Sequence, residues 1–382
     1  MRKKWTVFFG IVLAALVLAS CGSAENQGLS ERDKDISPDL EYKSSMELEY
    51  AEEFAVDYYQ DGYALITISD GSRFLVIPEG KTAPSRLAED IVLLQQPIQN
   101  IYLVASAVMD MFVSLDALDS VRFSGLKADG WYIDEPRKAM EDGEILYAGK
   151  YSEPDYEQIL AENCGLAVEN TMIYHTPEVK EQLEKLGIPV LVDYSSYETE
   201  PLGRTEWVKL YGLLTGKGEA AQEAFSEQEE AFASVKGKDK SDKTVALFYI
   251  TTNGEANVRK SSDYLPKMIE LAGGSYIFSD LGDEDDTASS TVTMQMEEFY
   301  ASAKDADYII YNSTIEGELT SVDELLGNSP LLKEFKAVQE GNVFCTAKNL
   351  YQSSMELGTI ISDIHSMLFG EEDKLTYIYK LE

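Results

Sequence analysis

Apolar and polar positions change period along this chain, and the changes mark its elements. Residues 54–59 and 63–68 are runs rich in Val, Ile, Tyr and Phe that flank Asp61 and Gly62. They predict a β-hairpin, with a third strand at 73–77 after Asp70 and Gly71. From residue 101 onward short apolar runs alternate with helical spacing, giving strands at 101–104 and 121–124 and helices near 107–115 and 135–142. The clearest βαβ unit spans 166–192. There Thr176 and Pro177 mark a helix start, Val179, Leu183 and Leu186 share one face, Gly187 stops the helix, and 188–192 begins the next strand. Strands alternating with helices predict a parallel sheet covered on both faces.

A helical stretch at 206–211 is interrupted by Gly216 and Gly218 and resumes over 219–235, where Ala221, Phe225 and Phe232 are its few apolar anchors. So polar a helix is expected to bridge two domains. The lysine-rich stretch 237–243 marks a boundary, after which the alternation restarts at 244–250. It continues through helices at 265–272, from 295, near 331–338 and around Ile360, Ile361, Ile364 and Leu368, with strands at 276–278, 308–311 and 343–345. The predicted fold class is therefore α/β: two three-layer α/β lobes, 46–215 and 241–382, joined by a single long helix within 216–240, with an N-terminal β-hairpin.

The first apolar run has a different meaning. Arg2, Lys3 and Lys4 precede an apolar core at 7–18 that is too short for the roughly 20 apolar residues of a membrane span. It ends in Leu18, Ala19, Ser20 and Cys21, the order in which a lipoprotein signal is cut and lipidated. Residues 1–20 are thus expected to be a signal peptide, with Cys21 the lipidation site and the polar stretch 21–45 a flexible tether. Losing residues 1–20 removes three cations and no acids, so the formal charge falls from −36 to −39. Nucleic acid is excluded as a partner for such a surface, and membrane contact is expected through the lipid on Cys21 only. Cys164 and Cys345 are expected to be buried free thiols, and two histidines, His175 and His365, cannot build a His-rich metal site. The acidic run 283–286 lacks calcium-loop spacing and reads as a solvated loop. Nucleophile-elbow, zinc-protease and phosphate-loop motifs are absent, so no enzyme, catalytic residue, cofactor or metal is predicted.

The segment Gly149 to Leu160, with Pro154, Asp155 and Glu157, followed by a strand at 166–168, resembles a segment of extracellular solute-binding proteins of ABC importers, in the class that carries ferric siderophores, haem and corrinoids. Leu186 to Val190, Pro201 to Trp207, and the helix at Glu297 before Asp305 extend the resemblance over nearly all of the mature chain. Asp155 stands where the family has Asn, and Gly165 where a Pro-Asp commonly precedes the strand. The resemblance implies a monomer of two lobes around one ligand, partnered by a permease and its ATPase. Glu157 and Glu297 match the positions that dock with permease arginines, although Glu298 adjoins the second. It implies a lipid-anchored receptor outside the cell membrane, as suits a Gram-positive envelope. A ligand sensor or adhesion module on the same fold is the alternative.

Ligands of open α/β sheets sit beyond the carboxyl ends of the strands. Expected cleft residues are therefore Trp131, Tyr132, Lys150, Tyr151, Asn170, Tyr197, Arg204 and Trp207 from the first lobe, and Asn253, Arg259, Asn312 and Tyr351 from the second. Aromatic faces and cations suit a chelated metal or a porphyrin-like cargo. Against this, each aromatic has core packing as its alternative, Arg204 an ion pair with Glu200 or Glu206, and Lys150 a solvated loop.

Overall fold

The computed structural model describes residues 35–238, 240–282 and 290–382. Cys21, the signal segment, most of the expected tether and the acidic run 283–286 lie outside the described residues.

Three sheets organise the chain. The first holds β1 (Tyr42–Ser45), β2 (Phe54–Tyr59), β3 (Ala64–Ile68), β4 (Arg73–Ile77) and β5 (Ile91–Gln95) in sequence order. The second holds β6 (Ile101–Leu103), β7 (Val121–Ser124), β8 (Leu146–Tyr147), β9 (Ala167–Asn170) and β10 (Val190–Asp193), all parallel, in the order β10-β9-β6-β7-β8. The third, seven-stranded sheet contains β11 (Thr244–Ile250), β12 (Ala256–Arg259), β13 (Ser275–Tyr276), β14 (Thr291–Met294), β15 (Tyr308–Tyr311), β16 (Val343–Thr346) and β17 (Ile378–Lys380). Its centre is parallel, whereas β12, β14 and β17 pair antiparallel at its flanks.

Helices α1 (Val108–Ser114), α2 (Asp134–Glu141), α3 (Tyr156–Ala161) and α4 (Pro177–Lys185) connect the second sheet. They are followed by α5 (Pro201–Glu206), α6 (Val208–Thr215) and α7 (Gly218–Ala233), then by α8 (Tyr264–Leu271), α9 (Met296–Ala303), α10 (Val322–Asn328), α11 (Lys336–Glu340) and α12 (Leu357–Leu368) around the third sheet. The βαβ unit forms β9-α4-β10 with Val190 opposite Ala167. Thr176 occupies the N-cap position of α4, yet its hydroxyl makes no capping bond and is buried without a partner among the described residues.

The N-terminal part differs most from expectation. In place of a hairpin with one added strand there is a five-stranded sheet, and β5 returns parallel to β4. The folded body also begins before residue 46: β1 lies in the stretch expected to be tether, and Ile36 packs with Tyr59, Tyr63, Leu65, Leu75, Ile77 and Ile91 over the outer face of this sheet. Its inner face shares one core with the second sheet and with Trp207, Tyr211 and Phe225. The hairpin turn itself forms as expected, with Asp61 at φ 63° and Gly62 at φ 87°.

Two buried carboxylates fasten the segment between β1 and β2. Glu206 accepts hydrogen bonds from the backbone N–H groups of Glu49, Tyr50 and Ala51, and from Lys209 Nζ at 2.7 Å. Glu198 accepts from the N–H groups of Glu52 and Glu53 and from Trp207 Nε1 at 2.9 Å. Burial raises the Glu198 carboxyl above its ordinary value, and these donors pull it back.

The lobes are joined by α7 and by a strap that leads into α12. Ala221 and Phe225 of α7 belong to the first lobe's core, whereas Phe232 and the following Val235 belong to the second's. In the strap, Thr205 Oγ1 donates to the Ser354 carbonyl at 2.9 Å, Ser354 Oγ donates to the Ala107 carbonyl at 2.6 Å, and the Met355 N–H donates to Asp110 at 2.8 Å. The Gly358 N–H donates to Gln228 Oε1 of α7 at 3.1 Å. A Cβ at Gly358 would lie 2.2 Å from the Gln228 carbonyl oxygen, so only glycine lets α12 approach α7 this closely.

Two outcomes follow from this joint. Gly358→Ala is expected to lower stability by about 1–3 kcal/mol, read as a fall in urea midpoint with an unchanged slope. Burial pushes the Asp110 carboxyl up to about 7 against the opposing pull of the Met355 N–H. Its folded form therefore holds a proton that the unfolded chain gives up, and the stability this confers is lost as pH rises from about 4 through about 7. Asp110→Asn should show a melting temperature that gains on the unsubstituted protein across this interval; parallel melting curves would contradict it.

Candidate functional site

The facing edges of the lobes are the loops after the carboxyl ends of the second and third sheets. From the first lobe, the loop after β7 presents Tyr132, which is 37% exposed, and Lys348 of the second lobe places its Nζ 4.6 Å from the centre of that ring. The N–H of Tyr132 donates to Gln352 Oε1 at 2.8 Å, and Gln352 Nε2 donates to the Gly130 carbonyl at 2.8 Å. One amide of the second lobe thus holds the loop of the first by two bonds.

A second group centres on Tyr351. Its hydroxyl accepts from Asn312 Nδ2 at 2.7 Å, and the Arg259 guanidinium lies 5.2 Å from its ring centre. Asn312 is itself fixed, because its Oδ1 accepts from the N–H and hydroxyl of Thr314. Arg259 stands at the end of β12, where Ser290 Oγ and Asp263 accept from it at 3.0 and 3.4 Å. The third group crosses the lobes again: the Arg204 guanidinium of α5 stacks 3.7 Å from the ring centre of Tyr264 at the start of α8. Arg204 donates to the carbonyls of Glu198 and Ser196. Burial pulls its guanidinium below the ordinary value, while Tyr264 and Asp263 favour the charged form. Of the two acids expected to pair with it, Glu206 instead holds backbone N–H groups and Lys209, and Glu200 lies 3.2 Å from Lys267.

The expected residues thus separate. Tyr132, Arg204, Arg259, Asn312 and Tyr351 occupy groups along the lobe boundary. Trp131 and Trp207 do not offer faces to a ligand: they are 1% and 0% exposed, and their indole N–H groups donate to Ser124 Oγ and Glu198. Both are large apolar groups that the first lobe needs for its core. Lys150 is exposed and lies 3.3 Å from Glu153, so it is a surface cation paired locally. Tyr151 packs against the core beneath α3 and α4. Asn170 accepts from the Met172 N–H at 2.9 Å and shapes its own turn, and Asn253 lies in the exposed turn between β11 and β12. Tyr197 is 43% exposed, with its ring 5.2 Å from that of Tyr194, whose hydroxyl donates to Tyr174.

Glu157 lies exposed in the first turn of α3, where Asp155 accepts from the Gln158 N–H at the N-cap. Glu297 and Glu298 are both exposed at the start of α9, with Phe299 buried beneath them. Exposure therefore does not separate these two. Gln352 and Asp110 were not legible as site residues. The first stands in a polar Gln-Ser-Ser stretch that reads as a loop, and the second among the apolar residues of a short helix. Cys345 is buried and Cys164 half-buried; both are free, and burial pushes the Cys164 thiol up to about 11. Among the described residues no group of three or more His, Cys, Asp or Glu side chains is placed to hold a metal ion.

The arrangement offers guanidinium and ammonium groups backed by tyrosine rings, at the boundary of two α/β lobes, in a chain of net charge −36. It suits reversible binding of an anion with extended apolar faces. Comparison with known proteins agrees with the fold. An uncharacterized lipoprotein of Methanocaldococcus jannaschii is 25% identical over 403 residues, covering 98% of this chain and 94% of its own. A second uncharacterized lipoprotein of that organism is 22% identical and covers all of both chains. Among solved structures, the periplasmic haem-binding protein HutB of Vibrio cholerae superposes with a TM-score of 0.56 at 17% identity, over 69% of this chain and 97% of its own. An ABC-type Fe3+-hydroxamate transport protein of Saccharomonospora viridis gives 0.54 at 20% identity, over 72% and 94%. The family model for periplasmic binding proteins matches residues 104–350, which run from the end of β6 through the bridging helix to the Tyr351 loop. With more than half of its length matched, and with the two lobes and joining helix that the structure displays, this chain belongs to the periplasmic binding protein family.

Proposed function

We propose that this protein is the lipid-anchored, extracellular solute-binding component of an ABC importer. It captures a metal chelate between its lobes and hands it to a permease driven by an ATPase. A ferric siderophore is the first choice of cargo, with haem or a corrinoid as the others. The observation that carries this reading is the placement of Arg204, Arg259 and Lys348 on tyrosine rings along the lobe boundary. In so acidic a protein, cations gathered there draw an anionic ligand past a repelling surface. Tyrosine rings then cover its apolar faces, and hydroxyls and amides fix its orientation. No bond is made or broken in this task.

The solved structures of similar fold support the class of cargo, since they include a haem-binding protein and a ferric hydroxamate transport system. The curated relatives support the anchor, being named lipoproteins. In this reading the anchor lies outside the cell membrane, as suits a Gram-positive envelope. Glu157 and Glu297, one on each lobe, are the docking residues in this reading, each an exposed carboxylate suited to a permease arginine.

The full chain in mild detergent, titrated with a ferric hydroxamate, a ferric catecholate, haem and a corrinoid, is expected to bind one of them at micromolar concentration or tighter and to melt at higher temperature when saturated. Arg259→Ala and Lys348→Ala should each weaken that binding roughly tenfold, about 1.4 kcal/mol. Absence of binding and of any melting shift across the panel would overturn the chelate assignment. In cells, Cys21→Ser should release folded protein into the medium. Glu157→Lys combined with Glu297→Lys should leave the protein anchored and ligand-competent but stop uptake; undiminished uptake would remove both residues from the docking role.

A further inference from the structure

We infer that Gln352 is a positioning residue that couples the two walls of the cleft, so that its one amide group governs how readily they part. The inference rests on the ligand-binding reading above for its consequence, though the coupling itself requires no ligand.

A single stretch of the second lobe, 348–358, runs along the boundary from Tyr132 to α7. At one end Gly358 presses on α7, and Met355 and Ser354 bond Asp110 and Ala107 of α1. The Met355 and Gly358 contacts are buried and the Ser354 contact half-buried, and the missing Cβ of Gly358 leaves no slack there. At the other end Lys348 reaches the exposed Tyr132 ring through a flexible side chain. Gln352 stands between the two ends and is 8% exposed. Both ends of its amide are used, one as acceptor from the Tyr132 N–H and the other as donor to the Gly130 carbonyl.

The residue between those two backbone partners is Trp131, sealed in the first lobe's core and tied to Ser124 Oγ at 3.1 Å. The loop from Gly130 to Tyr132 therefore cannot follow the second lobe outward without pulling an indole from its core. Separation of the lobes has to break both amide bonds, and a buried amide left without partners is costly. The residues next to the clasp carry the ligand-facing groups: Tyr132 the ring under Lys348, and Tyr351 the ring beside Arg259 and Asn312. Breaking the clasp uncovers both walls together. A neutral amide supplies one donor and one acceptor here, whereas an ionised carboxylate cannot donate and an ammonium cannot accept.

The test uses the full chain in mild detergent. Without ligand, Gln352→Ala is expected to speed hydrogen exchange at the Tyr132 amide at least tenfold, while amides of β9 and β10 keep their protection and report an intact fold. Gln352→Glu should lose interlobe protection at pH 8 and regain it below the usual glutamate value of about 4.3, where the protonated carboxyl again offers a donor and an acceptor. With the chelate that binds the unsubstituted protein, Gln352→Ala should raise the dissociation rate at least tenfold. Unchanged Tyr132 protection in both variants would overturn the coupling, as would an unchanged dissociation rate in spite of lost protection. Should Tyr132 respond while no chelate binds even the unsubstituted protein, the clasp stands and the chelate reading fails.

Discussion

Five consecutive backbone N–H groups, from Glu49 to Glu53, point at two buried carboxylates, Glu206 and Glu198. Much of the architecture depends on this contact. Glu206 is the last residue of α5 and Glu198 precedes the helix, so the acids bracket the short helix that carries Arg204. Trp207 donates to one acid and Lys209 to the other, which ties the first lobe's core to the same point. Charge-assisted bonds to backbone N–H groups are strong and directional. Here they satisfy a stretch of chain without regular structure and give two buried carboxyl groups their hydrogen-bond donors. The segment so fastened is the link between β1 and β2. The N-terminal sheet, α5 and the Arg204–Tyr264 contact are therefore set by one arrangement.

The legibility of the chain followed the clarity of its periods. The β9-α4-β10 unit, the last helix and the strands at 308–311 and 343–346 stand out because apolar residues recur there at 2 or 3.6 positions between breakers. β1 did not stand out, since Tyr42, Lys43, Ser44 and Ser45 bury little and owe their conformation to pairing with β2. β12 and β14 were equally hidden: flank strands with mixed faces, they are held by each other and by β11. The site was legible in part for a related reason. Residue type marks Arg204, Arg259 and Tyr351 as suited to a ligand, but it does not distinguish a tryptophan on a cleft wall from one in a core, and only three-dimensional packing placed Trp131 and Trp207. Gln352 had no signal in one dimension, because its partners lie some 220 residues away and are backbone atoms.

The family match begins at residue 104, so the five-stranded sheet lies ahead of the part shared across the family. It is nonetheless no separate body. Its inner face completes the core that the second sheet and α6 share, and its outer face is covered by Ile36, Leu40 and Leu87. The archaeal relatives that align with the whole chain match this region as well. The sheet is thus an enlargement of the first lobe in depth, on the side where the described residues begin.

Phe225 and Phe232, two turns apart on α7, are rooted in different cores. A helix held at both ends by packed side chains has no free joint along its sixteen residues, so a change of angle between the two cores has to be taken up as gentle curvature of α7 and not at a single hinge residue.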